Sequence, residues 1–116
     1  MGLERGTIVY ADDPFKGADA GRPWLVCNTS QMPFAEQQSI ALTLTTKTWY
    51  DERICIAATD VVDGELPRSS SILPWAIASI ERDAIDERLA RVAPSLVDEA
   101  ILHCVSYLGL DPTEWR

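Results

Sequence analysis

The sequence predicts an α+β fold: a small antiparallel β-barrel over about residues 5–80, with a helical C-terminal part over about 83–108 at its side. Three observations carry this. Short runs rich in β-branched and aromatic residues, separated by Gly, Pro and Asp, fill the first 80 positions. Residues 39–46 alternate with a period of two, and after Glu81 the apolar spacing becomes helical. At 116 residues the chain reads as a single domain, 1–116, with one core.

Residues 7–11 (Thr-Ile-Val-Tyr-Ala) predict the first strand, and 12–21, with Asp-Asp-Pro and two glycines, a polar loop. Residues 24–28 (Trp-Leu-Val-Cys-Asn) are a strand-sized apolar run, and 29–38 a linker. In 39–46, Ile40, Leu42 and Leu44 face one way as core, while Ala41, Thr43 and Thr45 face the other as a polar side, with Lys47 in line. Residues 49–52 predict a turn. Ile54, Ile56 and Ala58 alternate in what should be the partner strand of a hairpin, and Asp63-Gly64 signals another turn. Residues 67–71 predict a polar loop and 72–80 the last strand, where Pro74 marks an edge or bulge. Ile85, Leu89 and Val92 recur at helical spacing. Ser95 and Asp98 resemble a capping box for an amphipathic helix whose stripe is Val97, Ala100, Ile101, Cys104, Val105 and Leu108, stopped by Gly109.

Composition narrows the function. No run approaches the roughly 20 apolar residues of a membrane span, and the N-terminus lacks the apolar segment of a secretion signal, so a cytoplasmic location is expected. Cys27, Cys55 and Cys104 are widely spaced, with one histidine to join them, which disfavours zinc and disulfides. Each lies in an apolar run and reads as a small buried hydrophobe. The net charge of −8 argues against a general nucleic-acid footprint. Eighteen acids against two lysines and eight arginines is the balance expected of a protein bathed in high salt. Charge is uneven along the chain. In residues 14–50 the cations are Lys16, Arg22 and Lys47 and the anions Asp19 and Glu36, so an anion is expected to bind there.

His103 is the only histidine, but its helical position points it away from the apolar stripe and it is remote in sequence from the basic stretch. The run from Gly17 to Arg22 lacks the Lys-Ser/Thr ending of a phosphate loop. At its end, Pro23 confines Arg22 to extended geometry and holds its charge at the mouth of a strand. Taken alone, Arg22 could be a surface arginine, and Thr43 and Thr45 ordinary solvent-side strand residues. Trp24, Trp49 and Tyr50 could stack on bases or serve a core or interface.

Arg5-Gly6-Thr7-Ile8-Val9-Tyr10-Ala11-Asp12, the glycines at 17 and 21, and Arg22-Pro23-Trp24-Leu25-Val26 together resemble the opening of the PemK/MazF-like toxins. The order continues with a strand ending on Thr45, with Ser71-Ile72-Leu73, and with Leu89 and the closing helix, over about residues 5–108. The resemblance implies an SH3-like barrel that dimerises. It also implies an endoribonuclease that cuts single-stranded mRNA with no metal or other cofactor until a cognate antitoxin blocks it. Carried over by position, Arg22 and Thr45 are the catalytic pair, with Lys16, Pro23, Thr43, Thr46 and Lys47 as RNA-binding residues around them. Four tryptophans in a small domain are a second motive for a homodimer. One departure stands out: where the family commonly carries an arginine near the end of the last strand, this chain has Ala78. Relatives that use an Arg and an Asp just upstream find Leu73 and Trp75 here. That loss of a cation leaves a rival, a non-catalytic toxin or regulator that keeps the barrel and binds RNA or a protein target, as gyrase poisons do.

Overall fold

The computed structural model describes residues 3–111 and 113. Its strands are β1 (Thr7–Asp13), β2 (Gly17–Val26), β3 (Gln38–Thr45), β4 (Ile54–Cys55), β5 (Val61–Gly64), β6 (Ser71–Glu81) and β7 (Ile85–Val92), followed by the helix α1 (Pro94–Tyr107). All pair antiparallel in one seven-stranded sheet, in the order β4-β6-β3-β2-β1-β7-β5. The sheet curls into a half-barrel with the helix at its C-terminal end, the expected class with more strands than the sequence suggested.

Alternation along the central strands sorts side chains into two cores. Ile8, Leu25, Leu42, Leu44 and Ile72 point to the face that receives Leu96, Val97, Ala100 and Cys104 of α1. Val9, Ala11, Trp24, Val26, Ala41 and Ile80 point to the other. The expected division of 39–46 into core and polar faces is therefore corrected. Ala41 and Thr43 are as buried as Leu42 and Leu44, and Ile40, near the strand's start, is exposed. The reason is curvature: a rolled sheet buries both faces of its middle strands, and along β3 Ile40 is the one exposed side chain.

Four further expectations give way. Residues 12–21 are mostly strand, with only Pro14, Phe15 and Lys16 turning the β1–β2 hairpin. Arg22 consequently lies inside β2, opposite Ala11, rather than at a strand mouth. Residues 54–58 make no hairpin with β3. Ile54 and Cys55 pair with the edge of β6, and a 3-10 turn follows at Ala58–Asp60. Asp63-Gly64 closes no hairpin but ends β5, where Gly64 has φ +69° and a Cβ would sit 2.5 Å from the Leu89 carbonyl. Finally, residues 85–92 are a strand and not a helix. Here β7 pairs with β1, and the register slips twice, between Ile8 and Val9 and between Tyr10 and Ala11. Each slip sets two residues of β7 against one of β1, so two bulges turn a period-two pattern into a counterfeit of helical spacing.

Pro74 does stand at a bulge. The β3–β6 register jumps from Leu42↔Ile77 to Leu44↔Ile72, leaving the proline no ladder partner. Helix α1 starts with Pro94 in its first turn and Ala93 as an N-cap without a side-chain bond. The expected capping box is absent, because Ser95 is already inside the helix and Asp98 instead receives a 2.7 Å bond from Arg5. At the other end Gly109 (φ +96°) and Leu110 bond back to the Ser106 and Val105 carbonyls, a Schellman closure. Leu108, placed on the stripe by spacing, is exposed, and Leu96 is buried in its stead. Cys27 and Cys104 are buried, whereas Cys55 is exposed. Burial pushes the Cys27 thiol up to about 12 and the Cys104 thiol in the same direction, which keeps both protonated and unreactive. Among the described residues no helix is long and apolar enough to cross a membrane.

Candidate functional site

Strand alternation assembles a site at the end of the second core. Arg22 shares its side of β2 with Trp24 and Val26, and Thr45 shares its side of β3 with Ala41 and Thr43. Trp24 pairs with Thr43, so the same register continued by two residues sets Arg22 beside Thr45. The β2–β3 ladder itself begins at Trp24, and Pro23, which has no N–H to give, falls just outside it. In place of the ladder, the Arg22 side chain bridges the gap: Nη2 donates to the Leu44 carbonyl at 3.0 Å.

Asp13 fixes the guanidinium from the other side. It lies at the end of β1, on the face of Val9 and Ala11, with its Oδ2 3.6 Å from Arg22 Nη1. The Asp13 side chain is 5% exposed, against 29% for Arg22. Its Oδ1 accepts the Phe15 N–H at 2.8 Å, an Asx turn that also closes the hairpin. Arg22 Nε is buried with no partner. The result is a guanidinium held between a carbonyl and a buried carboxylate, with part of its edge open to solvent.

Around it is a groove of about 310 Å³. Arg22 and Thr45 both line it, and so do four of the five residues assigned to RNA: Lys16, Pro23, Thr46 and Lys47. Thr43 does not line it. Its side chain is buried and its hydroxyl donates to the Ala76 carbonyl at 3.1 Å, so it braces β3 against β6. Thr45 Oγ1 accepts the Lys47 N–H at 3.1 Å, which leaves its own O–H free to donate into the groove. Three cations against the single carboxylate of Asp13 make this a positive concavity on an acidic chain, suited to an anion with oxygens that can accept from a guanidinium and a hydroxyl.

No protein-family model matches the sequence, and no curated protein matches it. Solved structures do. The crystal structure of MazE-MazF (Form-III) from Deinococcus radiodurans superimposes with a TM-score of 0.75 at 19% identity, over 96% of this chain and 100% of that one. The fold is that of MazF. A structure described as an endoribonuclease from Mycobacterial species gives a TM-score of 0.72 at 18% identity, covering 100% and 97% of the two chains. Another, an endoribonuclease in complex with its cognate antitoxin, also from Mycobacterial species, gives 0.65 at 18%, covering 90% and 93%.

Within this MazF-like fold, two groove residues escaped sequence reasoning. Asp13 falls in the segment that predicts a polar loop, although Asp-Pro with a following turn is an Asx-turn signature, and Ser70 falls in the polar loop expected at 67–71. At the site of the missing arginine, Ala78 pairs with Ala41 and packs on the second core; Leu73 is buried and Trp75 half exposed. β6 thus supplies no cation to the groove. His103 is exposed on α1 and lines a different depression, shared with Asp51, Glu52 and Glu99. Among the described residues no group of three or more His, Cys, Asp or Glu side chains is placed to hold a metal ion.

Proposed function

We propose that this chain is the toxin of a type II toxin-antitoxin pair, an endoribonuclease that cuts single-stranded mRNA in the cytoplasm without a metal, works as a homodimer and is restrained by a cognate antitoxin. The observation that carries the reading is the anchored Arg22 sharing one groove with Thr45. The likeness to a MazE-MazF structure and to two structures described as endoribonucleases, one of them in complex with its cognate antitoxin, supports it.

In the proposed reaction the ribose 2′-oxygen attacks the adjacent phosphorus as its proton passes to solvent water. The P–O5′ bond breaks, giving a 2′,3′-cyclic phosphate and a 5′-hydroxyl once the leaving oxygen takes a proton. Negative charge grows on the non-bridging oxygens, and Arg22, already oriented by Leu44 and Asp13, stabilises it without reorganising at the moment of reaction. The hydroxyl of Thr45 donates to the same phosphate. A threonine is too weak a base to take the 2′ proton unaided, so its role is positioning.

Purified protein is incubated with mixed-sequence single-stranded RNA at low and multimolar salt, beside Arg22→Ala. Wild type is expected to cut and the variant to lose about 10²–10³-fold in kcat with an unchanged circular dichroism spectrum. Equal cutting by the two removes Arg22 from the chemistry. Growth arrest on induction with message left intact and no cutting in vitro overturns the nuclease.

A further inference from the structure

One tryptophan near the groove stays largely outside the core. Trp49 is 67% exposed, on the irregular stretch that leaves β3. The Lys47 backbone is tied to the Thr45 hydroxyl, which holds the start of this stretch beside the groove. Lys47 belongs to both places: it lines the groove, and its Nζ lies 5.1 Å from the centre of the Trp49 ring. Tyr50 packs beside the indole, with ring centres 5.9 Å apart and planes tilted by 42°, and the Trp75 ring lies 5.8 Å from that of Tyr50. The indole thus has an aromatic neighbour and is still mostly open to water, where its face can receive a planar partner.

We infer that Trp49 is a stacking platform for one nucleobase of single-stranded RNA, that of a nucleotide next to the phosphate held by Arg22. The inference rests on the proposed nuclease reading. Charge and continuity select this occupant. The groove carries three cations and suits a phosphate backbone, and one of those cations, Lys47, also contacts the Trp49 ring, so a base projecting from that backbone has an aromatic face within reach. Asp51 and Glu52 follow at once in the chain and repel phosphates, so the strand keeps to the Lys47 side and commits only its uncharged base to the indole. Lys47 links the two functions: its ammonium lies over the ring in the free protein and serves the adjoining phosphate when a base takes its place. Stacking of this kind is tolerant of sequence.

The test uses the full chain and a short mixed-sequence RNA bearing 2′-O-methyl on every sugar, which can bind but not be cut, alongside an abasic strand of the same length. Trp49→Ala is expected to weaken binding of the base-bearing strand about 5- to 150-fold, to leave the abasic strand unaffected, and to be largely rescued by Trp49→Phe. Equal binding of the base-bearing strand by wild type and Trp49→Ala, while wild type still cuts ordinary RNA, overturns the platform and spares the nuclease. Wild type that neither binds nor cuts RNA removes the nuclease reading, and the platform with it. Equal losses on both strands, accompanied by a change in sedimentation, would assign Trp49 to a contact between two copies of the chain and so also overturn the platform.

Discussion

Two aspartate–arginine pairs each join neighbouring strands of the sheet, and they differ in a way that contact distance alone would rank backwards. Asp63 and Arg88 link β5 to β7 at 2.9 Å, with both side chains about half exposed. Asp13 and Arg22 link the β1–β2 hairpin at a looser 3.6 Å, yet the Asp13 side chain is 5% exposed. Water and salt screen the first pair, whose two ends can part and be solvated at little cost. The second has no such freedom. A carboxylate buried in the hairpin turn fixes where the guanidinium sits, and a guanidinium so fixed can meet a phosphate without first being arranged. Burial decides which pair can carry function.

The largest effect that would break this contrast falls on Asp13. Asp13→Asn keeps an oxygen for the Phe15 N–H and removes only the charge beside Arg22. If Asp13 is a positioning residue, the variant should fold, keep KM for RNA nearly unchanged, and lose about 10–10²-fold in kcat, the scale of a misplacement on the order of 1 Å. Asp13→Glu should restore part of that kcat, whereas Asp13→Ala, which also unties the Asx turn, should lower stability too. An unchanged kcat in Asp13→Asn would reduce this pair to the standing of the exposed one.

How far the sequence announced these features follows from how local their causes are. Arg22 and Thr45 were legible through short motifs that resemble a known family, the basic stretch because it is a property of nearby residues, and the closing helix because part of its stripe is retained in Val97, Ala100 and Cys104. Asp13 was hidden because its meaning depends on β2 resuming at Gly17, so that a polar segment becomes the paired arms of a hairpin whose residues line the groove. β7 was hidden because its bulges are defined by the partner strand β1 and leave no mark on the chain except a false period. Thr43 shows the converse: local alternation put it with Thr45, but the register with β6 sends its hydroxyl to Ala76 and the groove begins one step further on.

The smallest effects belong to the exposed pair and sharpen the comparison from its weak side. Arg88→Ala should leave RNA cutting at the wild-type rate and lower Tm only slightly, by a margin that shrinks further in high salt. Its pH dependence has a definite sign. Hydrogen bonding and charge from Arg88 pull the Asp63 carboxyl below its ordinary 3.8. A carboxyl depressed in the folded state favours folding wherever the unfolded chain would hold the proton more tightly. The contribution is therefore fully present above about pH 4 and disappears as pH falls through the folded value. Thermal melts of wild type and Arg88→Ala should differ most at neutral pH and converge in acid. Should the gap instead widen as the carboxyl protonates, Arg88 would be acting on the strand pair through something other than its charge, and solvent exposure would no longer explain why this contact matters less than the one beside the groove.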